Sequence, residues 1–281
     1  MLDGHIHMRL GVEDRDEFLR RLEAGGFAGG VVISNVPSNC YGPDGPNTPM
    51  KRLDKLLAWT HGQPELFPLY WIDPMSEDAL AQVATAVERG VIGFKVICMK
   101  FAIREPRAMD VFRAIAEAGK PILFHSGILW DNGDSSRYNR PGEFEPLLSI
   151  EGIRFALAHV SWPWCDECIA VFGKVLATSP NVNMYIDLTP GTPPIYRKEV
   201  LTKLFTVGYD VAENLIFGTD GSTDNYNAPW AREWIERDRQ IYAELGLDEQ
   251  TVGDVFGENL RRFLGISDAP AHERKRPKVG E

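Results

Sequence analysis

Cysteine is scarce in this chain, with 4 in 281 residues. So few thiols at this length exclude a disulfide framework of the kind that holds small secreted domains together. No apolar run approaches the roughly 20 residues that a membrane-spanning helix needs. Positive charge is in deficit: Lys plus Arg number 30 against 40 Asp plus Glu, for a net charge of −10. That balance argues against nucleic acid or an anionic membrane as a partner. A basic stretch followed by an apolar one, the mark of a secretory leader, is missing at the start, so a cytoplasmic location is expected. No G-x-G-x-x-G turn follows the first apolar segment, where Met8-Arg9-Leu10-Gly11 stands instead. That counts against a doubly wound dinucleotide fold. Nor is there a sequence repeat with a period of about 20–50 residues.

What is present is ordinary for a globular enzyme, with 44% hydrophobic and 25% charged residues. A chain of this length can therefore build one large core. Cys165 and Cys168 form a C-x-x-C. Without a second such pair or a thioredoxin-like pattern around it, two small, partly buried residues near a helix start are expected there rather than a redox or zinc site.

Apolar runs alternate with helical periodicity along the whole chain. Strands are expected near 2–8, 29–34, 66–72, 91–97, 121–125, 153–158, 182–187 and 214–219. Helices are expected near 13–24, 48–61, 77–89, 106–118, 143–148, 164–177, 195–206, 229–245 and 251–263. Gly90 and Gly119 follow helical stretches, where a left-handed cap is wanted. Eight strands with helices between them predict an α/β fold, a single-domain (β/α)8 TIM barrel over 1–266, followed by a charged tail over 267–281. Two long segments, 35–49 and 126–142, are rich in Gly, Pro, Asn and Asp and are expected to be functional loops.

Chemistry concentrates at the strand ends. His5 and His7 lie two apart in Leu2-Asp3-Gly4-His5-Ile6-His7-Met8, so a strand turns both imidazoles to one face with Asp3 beside them. Two converging imidazoles suit zinc, manganese or iron. His125, His159 and Asp220 close three further apolar runs, at the carboxyl ends where α/β proteins keep their active sites. His61, near the end of a helix, and His272, in the tail, are expected to be exposed and idle. Asp73, Asp187 and Asp224 also fall near strand ends or in the loops that follow, and Asp187 is expected either to contact substrate or to cap the next helix.

In these residues the chain resembles the amidohydrolase superfamily, specifically its branch of small metal-dependent barrels. The matching features are Asp3-x-His5-x-His7, His125, His159, Gly218-Thr219-Asp220 and the closing Phe256-Gly257-Glu258-Asn259-Leu260-Arg261-Arg262-Phe263-Leu264-Gly265-Ile266. The resemblance implies a (β/α)8 barrel without an added β-sandwich and a metal-bound water as nucleophile. It further implies a small-molecule substrate such as an amide, ester, lactone or certain carboxylic acids. Carried over by position, His5, His7, His125 and Asp220 are metal ligands, and Asp220 is also the proton carrier. His159 is either a further ligand or a group that polarises the substrate carbonyl. One divalent ion is expected, zinc first and manganese second.

Lys95 sits on the fourth strand, where a buried ammonium needs a partner. In two-metal members of the superfamily a lysine near this position carries a bridging carbamate. An ordinary lysine that binds a substrate carboxylate or pairs with an acid is the preferred reading here. Trp130, Arg137 and Arg140 follow His125, and Trp162 follows His159; together with Lys95 they are the expected substrate contacts. The expected reaction is hydrolysis by metal-bound hydroxide, with catalytic roles for Asp220, His159 and Lys95. Non-oxidative decarboxylation of an unsaturated or aromatic acid is the alternative on the same site, and a catalytically dead binding barrel stands behind both. A homo-oligomer is compatible with this fold.

Overall fold

The computed structural model describes residues 1–9, 14–37 and 48–267. The segment 35–49 is thus described only at its two ends, and the tail with His272 lies outside the described residues. Among the described residues, strands β1 (Leu2–His7), β2 (Gly29–Ile33), β3 (Leu66–Trp71), β4 (Gly93–Val96), β5 (Ile122–Phe124), β6 (Arg154–Leu157), β7 (Asn183–Asp187), β8 (Leu215–Ile216) and β9 (Gly221–Ser222) form one parallel sheet. Their order is β8-β7-β6-β5-β4-β3-β2-β1-β9, so every neighbour from β1 to β8 is also the neighbour in sequence. The ends meet: β1 pairs with β9 through Ile6–Gly221 and His7–Ser222, and the Gly4 N–H donates to the Phe217 carbonyl at 2.9 Å. That pairing gives a TIM-like barrel.

The eighth strand differs from the expected 214–219. It is split into β8 and β9, two parts of one stave, with Phe217–Asp220 between them. The break falls at a close approach: a Cβ on Gly218 would stand 2.8 Å from Thr189 Cγ2 and 3.0 Å from His5 Cβ. Asp220 then takes a positive φ of 56°, a conformation that side chains other than glycine adopt sparingly.

The helices begin where local chemistry provides a cap. Helix α1 (Arg15–Ala24) is capped by Asp14, which accepts from the Glu17 N–H. Helix α2 (Pro49–Thr60) is capped by Thr48 and opens on a proline, which has no N–H to leave unpaired. Helices α3 (Ala79–Glu88) and α4 (Pro106–Glu117) are followed by Gly90 and Gly119 at φ 94° and 68°, as the sequence predicts. Helices α5 (Cys165–Thr178), α6 (Pro194–Thr206) and α7 (Ala228–Glu244) complete the βα units. The α-helix expected over 143–148 is instead a tighter 3-10 segment, Pro141–Ser149. Pro146 within it lacks the N–H that an α-helical ladder requires.

The pattern expected over 251–263 folds as α8 (Glu249–Gly253), a wider π turn (Asp254–Glu258) and α9 (Asn259–Leu264). In the π turn the Val255 carbonyl accepts from the Phe217 N–H of the barrel. His61 caps α2 and is exposed, as expected. No described helix is long and apolar enough to cross a membrane.

Side chains alternate across the barrel wall. Val31, Ile33, Phe67, Leu69, Leu123, Ala156 and Tyr185 pack together inside. Their neighbours Val32, Tyr70, Ile122, Phe124, Phe155, Leu157, Met184 and Ile186 pack against the helices. Leu260, Phe263 and Leu264 of α9 join the inner cluster, with Phe263 5.3 Å from Tyr185 between ring centres. One end of the barrel is thereby filled with apolar side chains, and polar residues gather at the other.

Candidate active site

The alternation that sends Ile6 outward sends His5 and His7 inward, where their Nε2 atoms lie 3.1 Å apart. Asp220 Oδ1 is 3.3 Å from His7 Nε2 and 3.7 Å from His5 Nε2. These three residues are the group of potential metal ligands found among the described residues, with donor atoms all within 4.8 Å of one another. His5 Nδ1 donates to Asp187 Oδ2 at 2.7 Å, and both side chains are 1% exposed. That bond fixes the tautomer and leaves the Nε2 lone pair aimed at His7 and Asp220. Asp187 is held in turn by the Thr189 backbone N–H, at 2.7 Å. The donor set, two imidazole nitrogens and one carboxylate with an outer carboxylate on the buried histidine, fits a divalent transition ion.

Asp3 stands beside His5, whose backbone N–H donates to its carboxylate at 3.1 Å, but it is not in the close group of possible metal ligands. The β1–β2 register shifts between Asp3 and Ile6, and the Asp3 carboxylate turns toward the eighth stave. There it accepts from the Thr219 N–H at 2.9 Å, the Thr219 hydroxyl at 2.6 Å and the Tyr226 hydroxyl at 2.7 Å. Burial pushes its pKa up to about 6 against those bonds.

His125 and His159 arrive at the same end of the barrel without joining the close triad. His125 Nε2 is 3.1 Å from the Ile128 carbonyl, so that nitrogen carries a proton and donates. The His159 ring stacks on His5 at 5.6 Å and tilts against His125 at 5.1 Å. Its Nδ1 is buried with no hydrogen-bond partner among the described residues. The backbone around it is strained, with positive φ at His159, Val160 and Ser161. Opposite lies Gly191, where a Cβ would stand 2.6 Å from His159 Cβ.

Lys95 faces inward from β4, is 1% exposed, and brings Nζ to 3.3 Å from His5 Nε2. Burial lowers its pKa to about 8, with Asp187 and Asp220 opposing the shift. Burial first, then the Lys95 charge, lowers His5 well below its ordinary value, so the imidazole stays neutral. Burial likewise lowers His7, His125 and His159. Burial works against the Asp220 carboxylate, but the hydrogen bond to His7 holds it below the usual range. The arrangement is a set of neutral nitrogen donors around one carboxylate anion, as cation coordination requires.

These groups line a cavity of about 740 Å3, which also reaches Trp130, Trp162, Trp71, Arg9 and Asn35. Arg137 and Arg140 are outside its lining. Arg137 pairs with Asp134 and lies over Tyr138, and Arg140 pairs with Glu167 and lies over Trp164. The charges expected to meet substrate are thus engaged with acids and rings on the protein's own surface. Arg9, Asn35 and Trp71 were not singled out from sequence, although each ends or follows a strand, which is the signal that marked the histidines.

The sequence model of the amidohydrolase family matches residues 46–266. The fold is similar to that of a probable 2-pyrone-4,6-dicarboxylic acid hydrolase from Acinetobacter baumannii solved with citric acid bound. The TM-score is 0.62 at 13% identity, over 94% of this chain and 98% of that one. An amidohydrolase 2 from Bifidobacterium longum subsp. infantis aligns with a TM-score of 0.58 at 16% identity, over 95% and 98% of the two chains. A dihydroorotase from Campylobacter jejuni aligns with a TM-score of 0.55 at 14% identity, over 98% and 85%. No curated protein matches the chain.

Proposed function

The chain belongs to the amidohydrolase family, and on that premise we propose that it is a metal-dependent hydrolase of a small ester, lactone or amide, built as one barrel without an added sandwich. The observation that carries the reading is the convergence of His5 Nε2, His7 Nε2 and Asp220 on one point of the cavity. His5, His7 and Asp220 would hold one divalent ion, zinc first and manganese second, with His125 the candidate for a further ligand. Such an ion, when bound, polarises a carbonyl and lowers the pKa of water.

The chain's own groups do the rest. Asp187 keeps His5 in the tautomer that presents Nε2. The free oxygen of Asp220 takes a proton from the attacking water and returns it to the leaving oxygen or nitrogen. His159, with its ring over His5, donates to the carbonyl oxygen as charge develops there. The Lys95 ammonium, with no carboxylate oxygen bonded to it among the described residues, binds a substrate carboxylate from the barrel floor.

The test is elemental analysis of the purified protein before and after chelation. A panel of lactones, esters and amides with and without a carboxylate follows, led by a pyrone carboxylate because of the neighbour's name. The expected result is one ion per chain and a ring-opened or cleaved acid that disappears with the metal. Carbon dioxide release without water uptake would replace hydrolysis by decarboxylation. No metal binding, even after reconstitution, would overturn both.

A further inference from the structure

The cavity has a polar floor and an indole-rich wall, formed by Trp71, Trp130 and Trp162. Trp71 is 5% exposed and its ring lies 5.4 Å from His7, and Trp162 packs against the main core. Trp130 differs, because it lines the same cavity yet is 82% exposed. A side chain of this size has roughly 150–250 Å2 to bury. Leaving most of that area in water forgoes the stabilisation that burial of apolar surface brings.

The backbone around Trp130 is not loose. The Ile128 N–H donates to the Trp162 carbonyl at 2.9 Å, and the Gly127 N–H donates to the Asn139 carbonyl at 2.8 Å. The Leu129 N–H donates to Ser136 Oγ at 2.9 Å, and on the far side the Asp131 N–H donates to the Leu129 carbonyl at 2.9 Å. Even so, no described ring or cation stacks on the indole. The loop's cations are committed elsewhere, Arg137 over Tyr138 and Arg140 over Trp164. The fold therefore holds a bare aromatic platform at the mouth of a cavity whose volume suits a ligand larger than one hydrolysable bond.

We propose that the substrate carries a planar aromatic or conjugated group that stacks on Trp130, which makes Trp130 a specificity-determining residue. This rests on the reading of the cavity as the substrate site.

Benzoate and cyclohexanecarboxylate separate planarity from bulk and charge. Both are anions at pH 7.5 with rings of similar size, and the saturated ring is the more hydrophobic. Calorimetric titration of the zinc-loaded protein is expected to show benzoate binding about fivefold more tightly, the worth of one aromatic pair. The ratio should fall to about one in Trp130→Ala and be retained in Trp130→Phe. A ratio of one in the wild type, a ratio unchanged in Trp130→Ala, or binding of neither acid overturns the proposal. An unchanged ratio together with conversion of an oligomer to a monomer would assign the indole to an interface between copies. Because the readout is binding, a planar preference without any hydrolysis overturns only the hydrolase reading, whereas hydrolysis without the preference overturns only the role of Trp130.

Discussion

Asp187 Oδ2 lies 2.7 Å from His5 Nδ1, across 182 residues of sequence, and both side chains are closed off from solvent. The bond ties the end of β7 to the end of β1 and decides which nitrogen of His5 faces the cavity. Asp187 is therefore part of the site without lining the cavity, rather than the substrate contact or helix cap that its sequence position suggests.

Asp187→Asn tests that role. The Thr189 N–H needs an acceptor at Oδ1, so with the amide oxygen kept there the NH2 group faces the His5 N–H, and His5 changes tautomer or turns. Metal affinity, measured by competition with a chromophoric chelator, should fall about 10- to 100-fold, while the far-ultraviolet circular dichroism spectrum stays unchanged.

Gly191→Ala tests the place of His159. The added Cβ would stand 2.6 Å from His159 Cβ and 2.9 Å from Cγ, so the ring must move away. Steady-state kinetics on a cleaved substrate should show kcat lower by about 100-fold, the cost of displacing a reacting group by roughly 1 Å. KM and metal content should change little.

The C-x-x-C should be chemically silent. Burial pushes the Cys165 thiol up to about 11 and the Cys168 thiol up to about 12. With both values raised, each sulfur stays protonated at pH 7.5, and a protonated thiol is a poor nucleophile. Peptide mapping after iodoacetamide treatment should find neither residue alkylated in the native protein and both alkylated once it is unfolded in urea. Rapid native labelling of either would reinstate a redox role.

Arg197 and Asp238 form a fully buried pair, with Nε–Oδ1 at 2.8 Å and Nη2–Oδ2 at 2.6 Å. It joins α6 to α7, away from the cavity. Arg197→Met leaves a buried carboxylate without its cation, and urea denaturation should show a loss of about 3–5 kcal/mol. Replacing both partners, Arg197→Met with Asp238→Leu, should recover most of that loss, because no uncompensated charge remains.

Much of this was legible in the chain. The alternation of apolar runs and amphipathic stretches marked all eight staves and every long helix, because burial on both faces and on one face leave different periods. Four strand-end histidines and Asp220 could be picked out for the same reason, since a polar residue that ends a buried run is already an anomaly. Where the reading fell short, a local signal met a tertiary demand. Asp3 lies beside His5 as its position predicts, but most bonds to its carboxylate come from Thr219 and Tyr226, more than 200 positions away. The stave expected over 214–219 is interrupted over Phe217–Asp220, where Gly218 packs against His5 and Thr189 and Asp220 takes a positive φ.

The order of strands, the inward face of β1 and the residue types available to a cation were dictated locally, by side-chain period and hydrophobicity. Which of those residues meet was decided only by closure of the barrel. Closure brought Asp220 to His7 and Asp187 to His5, whereas His125 meets the Ile128 carbonyl and Arg137 meets Asp134 across only three residues of chain. Period along a strand is a property of neighbours in sequence, whereas a ligand set is a property of distances a few ångströms long between residues far apart in the chain. Those distances exist only once the core has packed.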